Sequence, residues 1–239
     1  MRMLTVRSFP IAIRMFLRAE KRWYFMHLDL ATIMIRLLVV ATCLPVHEWA
    51  HAYSAYKLGD KTAYYQGRMT INPLAHLDPF GTIMLVLVGI GWAKPVPVNA
   101  NNFKNSRVGM AITAIAGPLA NLLLATLFLI VFKLLYIFPG VITSFNPTIY
   151  DPVMTLFQTM MSINLMLAVF NLLPIPPLDG SRILGLILPK KAAYWFYAYQ
   201  QYIVMVLMAA VFFGLLDVPI QFLARALFNV INFLTGFIR

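Results

Sequence analysis

Charged residues are scarce in this chain of 239 residues. Only 11% of its residues are Asp, Glu, Lys or Arg, whereas 61% are hydrophobic and the mean hydropathy is +0.79. A soluble domain needs about a quarter of its residues charged to cover its surface. The shortage excludes an ordinary soluble globule, and we expect an integral membrane protein whose surface mostly faces lipid.

Cysteine and acidic residues are also few. The single cysteine, Cys43, excludes an intramolecular disulfide framework. Eight Asp and Glu against 19 Lys and Arg give a net charge of +11, yet the sequence contains no nucleic-acid-binding motif and no long basic run. The basic residues lie between apolar stretches, which is typical of cytoplasmic loops against anionic lipid headgroups. The expected partner is therefore the lipid bilayer of the cell (inner) membrane and not nucleic acid.

Long apolar stretches predict an all-α polytopic membrane protein. A helix needs about 20 apolar residues to cross the bilayer core. Four stretches meet this need: Leu30 to Tyr56, Val108 to Ile137, Val153 to Leu173 and Ala192 to Leu215. A fifth, Val218 to Ile238, contains Arg225 and could span at a tilt or lie in the interface. The stretch Phe80 to Trp92 is too short to cross, which predicts a re-entrant or interfacial element.

Three regions follow from this pattern. Residues 1–29 carry six basic groups among apolar ones, which is typical of an interfacial amphipathic helix. Residues 30–191 are expected to form a membrane-embedded core. Residues 192–239 are expected to add C-terminal transmembrane or interfacial helices.

The distribution of Lys and Arg predicts the orientation. Basic residues occur in 57–107 and 182–191, whereas 138–152 has none, so the first two should be cytoplasmic and the third exterior. The basic N-terminus conflicts with a single span over 30–56. Either an additional short crossing exists or the N-terminal segment folds back.

The chemically reactive residues concentrate in the first span. The chain has only two glutamates, and one of them, Glu48, lies within an apolar helix, where an ionisable group is a functional candidate. Residues 47–51 read H-E-x-x-H, and positions i and i+4 share a helix face, so His47 and His51 can bind one Zn²⁺. Glu48 is then placed to take a proton from water that the metal activates. Cys43, one turn earlier, is more simply explained as a buried thiol than as a ligand.

A catalytic zinc usually has three protein ligands, and the motif supplies two. Asp179 is the carboxylate that fits best as the third. It follows Pro174, Pro176 and Pro177, which break a helix, and broken helices at membrane depth line protein or water-filled cavities. A helix N-cap is the alternative role of Asp179.

Together these motifs resemble the site-2 protease family of intramembrane zinc metalloproteases. The segment His47 to His51 is similar to the family's zinc-binding helix, and Asn171 to Gly180 is similar to its second motif, in which the Asp is the third ligand. The match extends from about Leu30 to Leu188. The resemblance implies a three-helix catalytic core, one catalytic Zn²⁺ on His47, His51 and Asp179, and Glu48 as the catalytic base. It also implies that Asn171 holds the substrate or the oxyanion.

Smaller motifs resemble the compact bacterial subgroup without a PDZ or CBS domain. They are Asn72 to Pro79, Gly91 to Asn99 and Gly117 to Asn121.

The residues of these smaller motifs also have physical interpretations. The alternation of Pro and Val over 94–99 favours an extended edge, at which Val96 and Val98 could pair with a substrate strand; a rigid surface loop is the alternative. Asn121 is expected either to hydrogen-bond between helices or to brace the active site. His76 and Asp78 are interpreted as local hydrogen-bonding groups rather than a second metal site.

The function that the resemblance implies is cleavage of membrane-spanning protein substrates by zinc-activated water. His47 lies ten residues before Lys57, or about 15 Å along a helix, so the active site is expected within the bilayer but nearer the cytoplasmic side. Two alternatives are a zinc transporter and an inactive protease-like binding protein. The first calls for more polar residues along the spans, and the second for a substitution in the motifs.

Overall fold

The computed structural model describes residues 30–88, 91–144 and 146–238, and within these ranges the chain is helical and has no β-strand. The helices are α1 (Leu30–Leu38), α2 (Leu44–Lys57), α3 (Thr62–Tyr65), α4 (Pro79–Val88), α5 (Ser106–Ile137), α6 (Gly140–Thr143), α7 (Tyr150–Leu172), α8 (Gly180–Ile187), α9 (Lys190–Ala198), α10 (Gln200–Phe212) and α11 (Asp217–Leu234). The predicted all-α class is confirmed. The interfacial helix predicted over residues 1–29 lies outside the described residues.

Three stretches are long and apolar enough to cross a membrane: Ile33–Lys57, Ser106–Ile137 and Pro147–Leu172. They coincide with the first three predicted spans, with shifts of a few residues at their ends. Helix α5 packs along both α2 and α7. The three helices therefore form one unit with α5 in the middle, in agreement with the predicted three-helix core.

The first span changes its hydrogen-bond pattern just before the H-E-x-x-H motif. Residues Val39–Cys43 form a π-helical turn between α1 and α2, in which the N–H of Leu44 donates to the carbonyl of Val39. Pro45 lies in the first turn of α2 and has no N–H for an ordinary i→i−4 bond. The wider turn accommodates this missing donor, and π-turns of this kind occur frequently near functional sites.

The fourth predicted span, Ala192 to Leu215, is not one straight helix. Helices α9 and α10 meet at a bend of 61° around Tyr199, so they are one broken span or a re-entrant loop. The hydroxyl of Tyr197 donates to the carbonyl of Ser181 at 3.0 Å. This bond joins α9 to α8. The segment is thus bent, and its crossing of the membrane as a fourth span stays a prediction.

The fifth predicted segment forms α11, which is not among the helices that are long and apolar enough to cross. One face of α11 nevertheless packs into a core shared with α5 and α7 through Ile220, Ala224, Phe228 and Ile231. The buried ammonium of Lys133 on α5 donates to the carbonyl and the hydroxyl of Thr235, at 3.0 and 2.9 Å. A cation is favourable at a helix C-terminus, so Lys133 fixes the end of α11 beside α5.

The short apolar stretch after the first span forms α4. Its ten residues are about 15 Å long, half the thickness of a bilayer core. Asp78 caps α4, because its Oδ1 accepts a 2.7 Å hydrogen bond from the N–H of Gly81. A Cβ on Gly81 would lie 2.3 Å from the carbonyl oxygen of Trp92. The returning chain thus packs directly on α4 at Trp92. Helix α4 and the irregular arm that follows Trp92, at residues 94–99, form a hairpin.

Candidate metal centre

Three side chains from distant parts of the sequence converge beside α5. His47 and His51 lie on one face of α2, and their Nε2 atoms are 3.0 Å apart. The Oδ2 atom of Asp179, in the loop before α8, is 3.3 Å from each of these nitrogens. Both histidines are buried. The three groups together could hold one metal ion.

Asp179 is directed at the imidazoles and not at its own helix. It occupies the position before α8, but its side chain makes no capping hydrogen bond. Its Oδ2 is buried and has no hydrogen-bond partner within the described ranges. Gly180 allows this placement, because a Cβ there would lie 2.2 Å from the carbonyl oxygen of Leu172 at the end of α7. The N-cap interpretation of Asp179 is therefore not what the geometry shows.

Helix α5 fixes the tautomer of both histidines. The Nδ1 atom of His51 is 2.7 Å from the carbonyl oxygen of Thr113, and the Nδ1 atom of His47 is 2.6 Å from the Oδ1 atom of Asn121. These oxygens can only accept, so each Nδ1 carries the proton. In the neutral rings each Nε2 then presents a lone pair to the point where the three groups meet, which is the state that a metal ligand requires.

A buried amide relay sets the orientation of Asn121. Its Nδ2 donates to the Oδ1 atom of Asn164 at 2.9 Å, which leaves the Oδ1 atom of Asn121 for His47. The Nδ2 atom of Asn164 donates to the carbonyl of Met160 (2.8 Å) and the sulfur of Cys43 (3.2 Å). Both asparagines are fully buried. Cys43 is thus an acceptor at the far end of the relay and does not belong to the ligand cluster.

The space at the centre depends on a missing side chain. Gly117 lies one helical turn from both Thr113 and Asn121 on the same face of α5. A Cβ on Gly117 would lie 2.5 Å from the Nε2 of His51 and 2.6 Å from the Nε2 of His47. Any other residue at this position would occupy the volume in which the three ligand atoms meet.

These observations fit a zinc ion. Two nitrogen lone pairs and a carboxylate oxygen at 3.0–3.3 Å repel each other unless a cation lies among them. Ligand bonds of 2.0–2.1 Å in a tetrahedron put neighbouring ligand atoms about 3.3 Å apart. The donor set of two imidazoles and one carboxylate is also one that catalytic zinc uses.

Glu48 lies on α2 between the two histidines and remains outside the three-residue cluster. It is partly exposed, and its Oε2 accepts a 2.9 Å hydrogen bond from the N–H of Val96. The irregular arm thus holds the carboxylate through one backbone hydrogen bond. The carboxylate remains available for proton transfer.

The other predicted site residues do not belong to the three-residue cluster. Asn171, at the end of α7, donates from its Nδ2 to the carbonyl of Leu167 in its own helix at 3.0 Å. The structure gives it no hydrogen bond to the three-residue cluster. The arm at residues 94–99 is neither helix nor strand. The N–H of Val96 is occupied by Glu48, whereas that of Val98 has no partner among the residues described.

His76 and Asp78 make local hydrogen bonds, as the sequence predicts. Asp78 caps α4. The Nε2 of His76 donates to the carbonyl of Thr70 at 2.7 Å. Neither belongs to a group of possible metal ligands within the described ranges.

No role at the site was predicted from the sequence for Thr113, Gly117 or Asn164, although Gly117 begins one of the smaller motifs. Thr113 acts through its carbonyl and Gly117 through the absence of a side chain, so neither carries a chemical signal. Thr113, Gly117 and Asn121 follow each other at intervals of four residues. This spacing was the available clue, because it places all three on one face of a helix. Asn164 could have been noticed as a buried amide in an apolar span.

The relay gives a first prediction. Replacing Asn164 with Ala frees the amide of Asn121 to rotate and should weaken zinc binding by about 10- to 100-fold, the usual effect of losing an outer-shell partner. Thr126→Ala is the matched control, because that hydroxyl donates to the carbonyl of Leu122 in its own helix. Competition with a zinc chelator in detergent measures both variants. Equal zinc affinity in Asn164→Ala and the wild type would contradict the relay.

Comparison with known proteins agrees with this geometry. The model of the family "Peptidase family M50" matches residues 35–215. The Bacillus subtilis protein named "Putative zinc metalloprotease YwhC" is 42% identical over 168 residues, which are 70% of this chain and 74% of the relative. The Mycolicibacterium smegmatis protein named "Putative zinc metalloprotease Rip2" is 30% identical over 63% of this chain and 57% of its own length. "Zinc metalloprotease MJ0392" of Methanocaldococcus jannaschii is 30% identical over 68% of this chain and 36% of its own length.

No solved structure matches the chain significantly. The family match covers well over half of the residues and includes every member of the three-residue cluster. The chain therefore belongs to peptidase family M50, the site-2 protease family of zinc metallopeptidases.

Proposed function

We propose that this zinc metallopeptidase cleaves membrane-spanning protein substrates within the bilayer, with one Zn²⁺ held by His47, His51 and Asp179. The observation that carries the proposal is the position of Glu48. It adjoins a converged pair of imidazoles and a carboxylate, on a helix long and apolar enough to cross a membrane. A structural zinc site would not need this additional carboxylate.

Each residue of the site has a separate role in peptide hydrolysis. Zinc, when bound, supplies Lewis-acid chemistry that polarises the scissile carbonyl and makes water more acidic. Glu48 accepts the proton of the attacking water on its carboxylate and returns it to the leaving amine. The N–H of Val96 keeps that carboxylate in place at 2.9 Å. Asn171 would use its second amide hydrogen to hold the substrate backbone or the oxyanion.

The depth of the site suits a membrane-embedded substrate. His47 lies ten residues from the end of α2 at Lys57, about 15 Å along the helix. We place that end on the cytoplasmic side of the cell membrane, because the loop that follows is basic. A channel for water from the cytoplasm can reach such a site.

The substrate must partly unfold before it can react. Backbone carbonyls in a transmembrane helix are bonded to N–H groups four residues away, so the scissile peptide has to leave the helix first. Single-span proteins with helix-weakening residues therefore fit best as substrates. The N–H of Val98, which has no partner among the described residues, and the neighbouring carbonyls of the arm offer the unwound segment a backbone to pair with.

The test of this function compares membrane fragments released by the wild type and by Glu48→Gln. The wild type should release soluble fragments whose new termini map inside predicted transmembrane segments, and Glu48→Gln should not. Asp217→Asn is the matched control, because it makes the same carboxylate-to-amide change at an exposed position on α11. Identical fragment sets from the wild type and Glu48→Gln would overturn the proposal.

A further inference from the structure

The irregular arm at residues 94–99 is held by buried charged groups that the chemistry of the site does not use. Two of its six residues are prolines, so only Lys94, Val96, Val98 and Asn99 have a backbone N–H. Three of these four N–H groups donate to acceptors outside the arm. An arm without helix or strand pairing is thus fixed at its start, middle and end.

The start of the arm is fixed by Arg68 and His76. The N–H of Lys94 donates to the carbonyl of His76 at 2.9 Å, and the Nη2 of Arg68 donates to the carbonyl of Lys94 at 2.6 Å. The same Nη2 lies 3.5 Å from the Nδ1 of His76. This Nδ1 is the acceptor nitrogen of the ring, because Nε2 donates to Thr70. Arg68 and His76 are both buried, with exposed fractions of 8% and 1%.

The end of the arm is fixed by Asp60. Its Oδ2 accepts a 2.7 Å hydrogen bond from the N–H of Asn99, and its Oδ1 accepts from Thr62 and from the Nδ2 of Asn102. Burial raises the pKa of the Asp60 carboxyl, but the hydrogen bonds that it accepts outweigh this and hold the pKa below its ordinary value. The side chain is fully buried and remains ionised at neutral pH.

Asp60 also ties the arm to the helix that carries the site. Its own N–H donates to the carbonyl of Ala55 in the last turns of α2, at 2.9 Å. The arm is therefore joined to α2 at two points, through Glu48 near its middle and through Asp60 at its end. Movement of either end of the arm would shift the N–H of Val96 relative to the carboxylate of Glu48.

We infer that Asp60 and Arg68 are positioning residues, which clamp the arm so that the N–H of Val96 holds Glu48 in the orientation for proton transfer. The inference rests on the proposed function, because it assigns the clamp to the catalytic step of that reaction. Neither residue has a hydrogen bond to His47, His51 or Asp179 in the described part of the chain. Each acts through the backbone of the arm, and misplacing a catalytic group by about 1 Å can lower the rate by about 100-fold.

Hydrogen–deuterium exchange with residue-level fragmentation tests the clamp without any substrate. In the wild type, Val98 should exchange fast and Lys94, Val96 and Asn99 slowly, since only Val98 lacks a partner among the described residues. Arg68→Ala should speed exchange at Lys94 and Val96, and Asp60→Ala at Asn99 and Val96, by about tenfold or more. Lys104→Ala removes an exposed charge from the same loop and should change none of them.

Kinetics and zinc content complete the test. Arg68→Ala and Asp60→Ala should keep wild-type zinc content and lower kcat by about 10- to 100-fold with little change in KM. Arg68→Lys retains a donor for the Lys94 carbonyl and should recover part of kcat. If the alanine variants lose zinc through misfolding, Arg68→Met and Asp60→Asn, which keep more of the side-chain volume, are scored by the same criteria.

Two results would overturn the clamp: unchanged exchange at Val96 in folded variants, or a raised KM with wild-type kcat. The second would assign the arm to substrate docking alone. Absence of proteolysis in the wild type would instead contradict the proposed function, and the exchange pattern would still decide whether the clamp exists.

Discussion

Glu48→Gln is expected to lower cleavage by about 10²- to 10⁴-fold, the usual contribution of a general base, while about one zinc per chain remains bound. The amide is nearly the same size as the carboxylate but cannot accept the proton of water. It keeps an oxygen to accept from the N–H of Val96, so the arm should stay in place. Cleavage of a transmembrane reporter and metal analysis after purification in mild detergent measure the two properties.

Asp179→Ala should also end cleavage, but for a different reason. This change removes one of the three groups that converge at 3.0–3.3 Å and leaves a site of two histidines. Zinc affinity should then fall by more than about 100-fold, beyond the range for losing an outer-shell partner. The two variants therefore look the same by activity and differ in zinc content. If Asp179→Ala retained zinc and Glu48→Gln lost it, the roles of the two carboxylates would be exchanged.

The second large effect is expected at Gly117, a residue without any functional group. Gly117→Ala places a methyl group 2.5 Å from the Nε2 of His51 and 2.6 Å from that of His47. Both distances are far below van der Waals contact. The imidazoles must move or the metal must be excluded, so zinc affinity should fall by at least about 100-fold, more than an outer-shell change causes.

Gly140→Ala is the matched control for this substitution. It lies in the short helix α6, and a Cβ there would have no atom within 4 Å. The two substitutions raise the intrinsic helix propensity alike, because Ala is the better helix former, so they differ in the contact with the imidazoles. Isothermal titration with Zn²⁺ on the metal-free proteins measures both. Wild-type affinity in Gly117→Ala would show that the metal does not lie where these three groups meet.

The sequence predicted those residues of the site whose side chains are chemically distinctive and either lie at a regular spacing or are rare in the chain. The interval from His47 to His51 is one helical turn, so a single helix suffices to bring the imidazoles together. Asp179 is distant in sequence, but ionisable groups are so rare in this chain that few candidates existed for the third ligand. The three spans of the core followed from long runs of apolar residues.

Contacts made by the backbone could not be predicted in this way. The carbonyl of Thr113 fixes the tautomer of His51, and the N–H of Val96 holds Glu48. Every residue has such groups, so composition and spacing cannot single them out. Which carbonyl faces which imidazole depends on the register of α2 against α5, and only the packed structure defines that register.

The broken fourth span shows a second limit. Ala192 to Leu215 is long and apolar enough to cross as a helix, and its hydropathy gives no sign of a bend. The bend at Tyr199 accompanies a tertiary contact, the hydrogen bond from Tyr197 to Ser181. Tertiary contacts of this kind override a local preference for helix.

X-ray absorption spectroscopy at the zinc edge of the purified wild-type protein tests the proposed metal centre most directly. The expected spectrum has two imidazole nitrogens at about 2.0–2.1 Å and oxygen ligands at about 2.0–2.2 Å, from His47, His51 and Asp179 with water. Asp179→Ala, where it retains any zinc, should lose an oxygen and keep both imidazoles. A sulfur ligand at about 2.3 Å, which only Cys43 or a methionine could supply, or a single imidazole would contradict the assignment.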